Sequence, residues 1–401
     1  MLFFRGKTNL KVLFWMNIGF DTHTTSEHLL SAVIEQLAKS GHCVHVIQML
    51  NGKSQPVLPQ NLIDLGVSTV GVFHKAPNKS NFVARYLSAI NYYFKCRSVL
   101  KTHKDSDAVF IQSTNVAGIA VYLAKRYMKN AKITFNVQDI FPYNAMFSGS
   151  IKNKGVIFKT LSAIQRYGYE HSDHLITISE DMKETLIDDG VESNKIEVVY
   201  NWSYKDDVYD NLDFTPVSHM FNDNYFNIVY AGNIGVMQNV DIIIEAANLM
   251  KDDKSAWFHI IGNGVYKEKL ENKAKDYGIN NISFWPMQKP AIAPLIYSAA
   301  NVNVIPLGKN IYRTALPSKT ATCLACQKPI IFAIGKESLI GRKIQDQTGC
   351  IVTESDNPEE IVKAIRDVQA GRIKIYTAKM FRENCSKTSN SSLYAKTIIG
   401  V

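Results

Sequence analysis

Apolar positions along the 401-residue chain fall into two alternating rhythms. Short runs rich in Val, Ile, Leu and Phe predict strands. Stretches with apolar residues three and four apart predict helices. Residues 11–16 form the first run. Residues 26–40 follow with Leu29, Leu30, Val33, Ile34 and Leu37 on one side of a helix, Gly41 stops it, and 43–49 resume as a strand. Further strands are predicted at 67–73, 108–112, 132–137, 174–178 and 196–200, with helices near 84–101, 116–129, 155–171 and 180–189. A polar stretch without period, 203–224, reads as a linker. The alternation then restarts, with strands at 227–231, 257–261, 282–285, 302–306, 329–334 and 349–352. Helices lie between them at about 240–251, 265–277, 290–299, 318–326, 337–346 and 358–370, and a final one is expected near 391–399 in a Ser/Asn-rich tail.

Such alternation is the sign of a parallel sheet covered on both faces. The fold class expected is therefore α/β, with two doubly wound, Rossmann-like domains facing a central cleft. The boundaries expected are 1–203 and 204–380, with 381–401 as a tail. No repeat of the 20–50-residue kind is present. Ligands of doubly wound sheets bind at the carboxyl ends of the strands, so informative residues should lie just after them.

Composition narrows the class. Hydrophobic residues are 46% and charged residues 20%, which excludes disorder as the main state. No run of 18 apolar residues exists, so no transmembrane helix is expected. The apolar stretch 12–16 is too short for a signal peptide and no small-residue cleavage site follows, so a cytoplasmic protein is expected. Of six cysteines only Cys323 and Cys326 are close, and no second Cys or His pair stands at zinc-ligand spacing. They read as reduced, buried thiols.

The net charge of +9 is uneven: residues 1–160 carry 19 Lys+Arg against 7 Asp+Glu, and 161–401 carry 26 against 29. Nucleic acid, an anionic membrane surface, an acidic substrate or a merely solvated basic face would each account for this.

Several strand-end loops can carry chemistry. Tyr230-Ala231-Gly232-Asn233-Ile234-Gly235 and Ile260-Ile261-Gly262-Asn263-Gly264 each bring glycines to a strand-to-helix turn, where backbone can approach a phosphate. Neither is a G-x-G-x-x-G fingerprint, and a plain tight turn is the bland alternative. Arg313-Thr314-Ala315-Leu316-Pro317-Ser318-Lys319 follows another strand. Ser318 is expected to cap a helix there, so that Arg313, Lys319 and the helix amides converge on one diphosphate. Phe284-Trp285-Pro286-Met287 can offer backbone to a base edge, or Trp285 is simply core. In the first half, Asn17-Ile18-Gly19-Phe20-Asp21-Thr22-His23 follows the first strand. Gln138-Asp139-Ile140-Phe141-Pro142 places a carboxylate, Asp139, where it can position or deprotonate an acceptor hydroxyl, or merely cap its own loop. Asp105-Ser106-Asp107 precedes its strand, away from the expected cleft, so no metal role is assigned.

These loops, with Ile178-Ser179-Glu180, Tyr200-Asn201-Trp202 and Leu316-Pro317-Ser318-Lys319, resemble the retaining glycosyltransferases of family 4, which have the GT-B fold. The likeness runs from about residue 11 to 368. It is nearest to the branch that adds L-fucosamine or other N-acetylamino sugars in O-antigen or capsule assembly. The resemblance implies a nucleotide-sugar donor site in the second half, an acceptor site in the first, and a last helix returning to the first domain. By position, Gly232, Asn233, Gly262, Gly264, Met287 and Thr322 would line the donor pocket, and Arg313, Pro317, Ser318 and Lys319 would hold the diphosphate. Gly19 would approach the sugar phosphate and Asp139 would face the acceptor. The family commonly has two glutamates eight positions apart, the second five residues before the glycine of an Ala-x-Gly-x-Pro stretch. Counting back from Ala325-Cys326-Gln327-Lys328-Pro329 puts Thr314 and Thr322 at those places, and Gln238 where a family lysine stands.

The reading that results is a retaining transferase acting without metal or cofactor. It takes a nucleotide diphosphate sugar, UDP-linked by expectation, and a lipid-linked saccharide acceptor. It would work as a peripheral protein on the anionic inner face of the cell membrane, with no nucleic acid partner. A GT-B sugar-nucleotide epimerase, a non-catalytic partner of a polysaccharide synthase and a nicotinamide enzyme remain open. The epimerase does not call for a strongly basic first domain. Thr314 and Thr322 suggest the non-catalytic partner. The missing third glycine and ribose carboxylate disfavour a nicotinamide enzyme.

Overall fold

The computed structural model describes residues 9–20, 25–50, 55–74, 82–151 and 155–400. The expected loop residues Asp21, Thr22 and His23 lie outside them, as do Lys53, Lys75, Lys79, Lys152 and Lys154 of the basic stretch. The chain divides into two compact units, Met1–Tyr200 with Thr388–Val401, and Asn201–Lys387.

The first unit holds β1 (Lys11–Trp15), β2 (Cys43–Leu50), β3 (Ser68–Phe73), β4 (Ala108–Gln112), β5 (Lys132–Val137), β6 (His174–Thr177) and β7 (Ile196–Val198). They form one parallel sheet in the order β3-β2-β1-β4-β5-β6-β7. The second unit holds β8 (Phe226–Asn233), β9 (Ala256–Asn263), β10 (Ile282–Trp285), β11 (Val302–Pro306), β12 (Ile330–Ala333) and β13 (Ile351–Thr353). Its parallel order is β10-β9-β8-β11-β12-β13. Each sheet reverses its direction of growth once, between β1 and β4 and between β8 and β11. Those two switch points are where doubly wound sheets leave a crevice for ligands.

The elements follow from local chemistry. The central strands are apolar throughout because helices cover both faces, and β4 is buried along its whole length. The helix Thr25–Lys39 buries Leu30, Val33, Ile34 and Leu37 on one stripe. Each such side chain contributes about 1.5–3 kcal/mol. The helix Pro358–Gln369 starts with Asn357, whose side chain accepts from the Glu360 amide at 3.1 Å, and buries Ile361, Ala364 and Ile365.

Four features differ from the sequence reading. The expected linker is packed: Ser203, Tyr209, Val217 and Met220 are buried, and the Tyr209 amide donates to the Ala325 carbonyl at 2.9 Å. Its anchors are spaced too irregularly to give a period. The helix expected over 84–101 divides into Phe82–Lys95 and Arg97–Thr102, where the Arg97 side chain bonds the Phe94 carbonyl at 2.8 Å. Three short helices, Gln60–Asp64, Tyr143–Phe147 and Thr377–Asn384, were not anticipated, and the last helix spans Lys387–Ile399. Cys43 is exposed, whereas the other five cysteines are buried.

Candidate functional site

In the second unit β8 and β9 run two residues beyond the apolar pattern, so Gly232 and Gly262 lie within the sheet as register partners, followed by Asn233 and Asn263. A Cβ on Gly262 would come closer than 3.0 Å to the Gly232 carbonyl oxygen. A Cβ on Gly232 would come within 2.5 Å of the Lys319 Nζ. The glycines thus admit the neighbouring backbone and an ammonium. Gly264 is held as closely against the carbonyl of Ile234.

Tyr230 stands two residues before Gly232 on the same strand and therefore on the same face. Its hydroxyl donates to the Asn233 carbonyl, which holds the ring in place. The Lys319 ammonium lies 3.8 Å from the ring centroid. No carboxylate among the described residues pairs with it. The residue keeps partial exposure while its ammonium is closed in, and burial pulls its pKa from 10.5 to about 7. An unpaired cation in a desolvated position is unfavourable alone and is stabilised by an arriving anion.

Arg313 is exposed at the end of a 3₁₀ turn, Ile311–Arg313, in the same connection after β11. Met237 and Gly308 join the loops across the switch point through an amide–carbonyl bond of 2.8 Å. The expected cap at Ser318 is corrected. Ser318 is exposed and makes no capping bond, and the helix is Thr320–Ala325, only six residues. The Thr320 amide bonds instead to the Pro317 carbonyl at 3.0 Å, because a tight turn precedes the helix. Positive charge here comes from two side chains rather than from a helix end.

The remaining second-unit residues divide. Asn233 donates to the Gln238 side chain at 3.0 Å. Thr314 is buried, with its hydroxyl on the Ile311 carbonyl at 3.2 Å. Thr322 is 3.3 Å from Ser203 Oγ, which in turn is 3.0 Å from the Tyr209 hydroxyl. Met287 is half exposed just past β10. The backbone of Trp285 is partly engaged: Lys267 Nζ donates to its carbonyl at 3.1 Å and to that of Gly262 at 3.3 Å. Its indole donates to His259 Nδ1 at 3.2 Å.

In the first unit, Gly19 is buried in the loop after β1. The neighbouring Asn17 amide bonds the Gln112 side chain at 3.3 Å, and the Phe20 amide bonds that of Gln48 at 3.0 Å. Asp139 follows β5. It accepts from Asn144 Nδ2 at 2.8 Å, and burial pushes its pKa up to about 7. The hydroxyl of Tyr200 donates to Glu180, and Ser179 caps its helix through the Met182 amide at 3.3 Å. Asp105 pairs with Lys11, and Asp107 accepts from the Lys11 amide at 2.9 Å, so both serve the amino end of the sheet.

The second unit thus brings Gly232, Gly262, Lys319 and Tyr230 together, whereas in the first Gly19 and Asp139 stand after β1 and β5, two strands that β4 separates. Tyr230, Lys267 and Asn144 were not singled out from sequence. The two-residue spacing of Tyr230 and Gly232 on a strand was the available signal for the first, whereas nothing in the pattern marks the other two. A cavity of about 870 Å³ opens beside the glycine loops, from Gly235 and Val265 along the helices Asp241–Leu249 and Lys267–Asp276. In its wall Lys273 pairs with Asp241 at 2.6 Å and Glu245 at 2.5 Å.

Residues 26–202 match the family described as Glycosyltransferase Family 4, and residues 213–388 match Glycosyl transferases group 1. WbjE of Pseudomonas aeruginosa, a glycosyltransferase by name, is 24% identical over 68% of this chain and 68% of its own. WcaI of Escherichia coli K12, named as a colanic acid biosynthesis glycosyl transferase, is 26% identical over 60% of each chain. The match thus spans three fifths of that relative's length. The structure of HepE from Anabaena with UDP and glucose superposes with a TM-score of 0.66 at 12% identity, covering 97% of this chain and 95% of that one. With a glycosyltransferase family matched on each half and two parallel-sheet domains of the corresponding type, the chain belongs to the family 4 glycosyltransferases of the GT-B type.

Proposed function

We propose that the chain moves a sugar, an N-acetylamino sugar by its branch, from a UDP-linked donor to a lipid-linked saccharide in bacterial surface polysaccharide assembly. The reaction would retain anomeric configuration and require no metal. The observation that carries the reading is the Lys319 ammonium, desolvated over Tyr230 and against Gly232 without a counter-charge among the described residues. As the bond from the anomeric carbon to the diphosphate breaks, negative charge builds on the leaving group. A buried cation already in place stabilises that charge without reorganisation. Arg313, in the same connection, would add a second charge from the exposed side. The domain carrying these residues is assigned to the donor, with Gly232, Asn233, Gly262, Gly264 and Met287 as its lining. The other domain is assigned to the acceptor, with Asp139 positioning its hydroxyl. The relative named for colanic acid biosynthesis supports a polysaccharide product, and the UDP held by HepE supports the nucleotide. No helix of the described residues is long and apolar enough to cross a membrane, so a peripheral site of action is proposed.

Thermal stability with UDP, GDP, dTDP, CDP and NAD, each in excess chelator, tests the reading. A ligand at a hundred times its dissociation constant adds about 2.7 kcal/mol. A shift with UDP alone is expected. A shift with NAD alone, or none with any diphosphate, overturns it.

A further inference from the structure

β10 is a four-residue edge strand, half-buried throughout, yet its last residue, Trp285, is pinned through both main chain and side chain. The main-chain anchor is Lys267. It is the first residue of the helix Lys267–Asp276, where the helix dipole favours an anion over a cation. Its ammonium reaches the carboxyl ends of two strands, donating to the Gly262 carbonyl of β9 at 3.3 Å and the Trp285 carbonyl of β10 at 3.1 Å, with Glu271 3.9 Å away.

The side-chain anchor is a chain of buried polar groups. The Asn227 Nδ2 hydrogens go to the carbonyls of Asn222 at 3.2 Å and Tyr225 at 3.1 Å. Its Oδ1, left as an acceptor, meets His259 Nε2 at 3.0 Å, so the network assigns the His259 proton to that nitrogen. Nδ1 then accepts from the Trp285 indole at 3.2 Å. Burial pulls the His259 pKa to about 4, so the ring stays neutral and this tautomer holds throughout the neutral range. From the stretch 203–224, Phe221 packs on His259 and His219 on Trp285, with ring centroids 4.9 and 5.9 Å apart.

Past Trp285 each main-chain group can be accounted for. Pro286 has no N–H, and its carbonyl accepts from Gln288 Nε2 at 3.1 Å. The amide and carbonyl of Met287 come next, and neither is bonded among the described residues. A free donor and a free acceptor on one exposed residue, directly after two engaged carbonyls, match a base edge that sets an acceptor beside a donor, as uracil does with O4 and N3–H.

We propose that Lys267 and His259 are positioning residues for the donor's nucleobase. Lys267 fixes the main chain of Trp285 and His259 fixes its indole, so that Met287 presents its amide and carbonyl to the base at one set place. Both His259 nitrogens are engaged and the Lys267 ammonium is committed to two carbonyls, so each acts through Trp285 rather than on the ligand. The proposal rests on the UDP-linked donor of the preceding section.

Dissociation constants for UDP and for inorganic pyrophosphate, measured by calorimetry on the full chain in excess chelator, are the test. Lys267→Met and His259→Phe are each expected to weaken UDP about tenfold and to leave pyrophosphate within about twofold, because the diphosphate is assigned to Lys319 in another connection. Lys267→Arg can still donate to two carbonyls, and His259→Gln keeps one donor and one acceptor. Both should hold UDP within about threefold of wild type. Lys319→Met should instead weaken both ligands together. Lys267 is partly exposed, so Lys267→Met carries the test should His259→Phe not fold. Unchanged UDP affinity in Lys267→Met overturns the positioning while the UDP reading stands, and so does equal loss of UDP and pyrophosphate, or a Lys267→Arg variant no better than Lys267→Met. A wild-type chain that prefers GDP, dTDP or CDP, with the same split in that ligand, overturns the UDP reading and supports the positioning. A wild-type chain that binds no nucleoside diphosphate overturns both.

Discussion

Gly232 and Gly262 face each other across β8 and β9, and the carbonyl of the first occupies the space where the second would carry a Cβ. Gly262→Ala should therefore push two strand ends apart at the proposed donor edge. The cost expected is about 2–3 kcal/mol, in the range of overpacked cores. Gly41→Ala, at a positive φ with open space around it, should cost only about 1 kcal/mol. Urea unfolding of the two variants separates the clash from the backbone conformation.

Lys319 gives the proposed donor site a pH dependence of defined direction. The unfolded chain keeps this proton to pH 10.5, and the folded chain releases it near 7. More protons are bound unfolded between those values, so stability should rise across that window. Lys319→Met should flatten the rise. A diphosphate restores the proton, so UDP affinity should fall as pH climbs from 7.5 to 9.5, by up to tenfold per unit, with proton uptake visible in calorimetry. A pH-independent affinity would mean that the diphosphate does not meet Lys319.

Asp139 behaves in the opposite sense. Its folded carboxyl holds a proton up to about 7, whereas the unfolded one releases it near 3.8. Stability should therefore decline as pH rises through that interval. Asp139→Asn keeps an acceptor for Asn144, so it should remove the decline at little cost in folding. Turnover should drop by about 10²–10⁴, the usual loss of a general acid–base group. Wild-type kcat/KM should show a limb near pH 7 that the variant lacks.

Thr322→Val breaks the chain from Thr322 through Ser203 to Tyr209. About 1 kcal/mol of stability should go with it, read as a lower melting temperature. The UDP shift should stay close to wild type, because the hydroxyl is already engaged within its own unit.

The doubly wound architecture was legible because each strand is a short apolar run and each helix has its own stripe, as in residues 26–40 and 358–370. The glycine loops were legible as loops, yet their place inside the sheet was not: Gly232 and Asn233 carry no apolar signal, and only pairing with Gly262 and Asn263 extends the strands. Ser318 looked like a cap from residue type, and the turn made by Pro317 displaced it. The Lys319–Tyr230 contact joins residues far apart in sequence, which no local pattern can report. The anchors of 203–224 were missed for a related reason, since single buried side chains at irregular spacing resemble a polar linker.

The last helix, Lys387–Ile399, is built into the first unit. Tyr394 donates to Asn136 at 3.1 Å and accepts from Gln138 at 3.0 Å, and Asn390 donates to the Tyr200 carbonyl at 2.8 Å. During synthesis the residues up to Tyr200 leave the ribosome ahead of the second unit, yet the partners that complete their hydrogen bonds leave after it. The second unit, Asn201–Lys387, is contiguous in the chain and can finish folding while the first still waits. The order of emergence and the order of completion are thereby reversed, and a nascent chain stalled before residue 388 would carry a finished second unit behind an unfinished first.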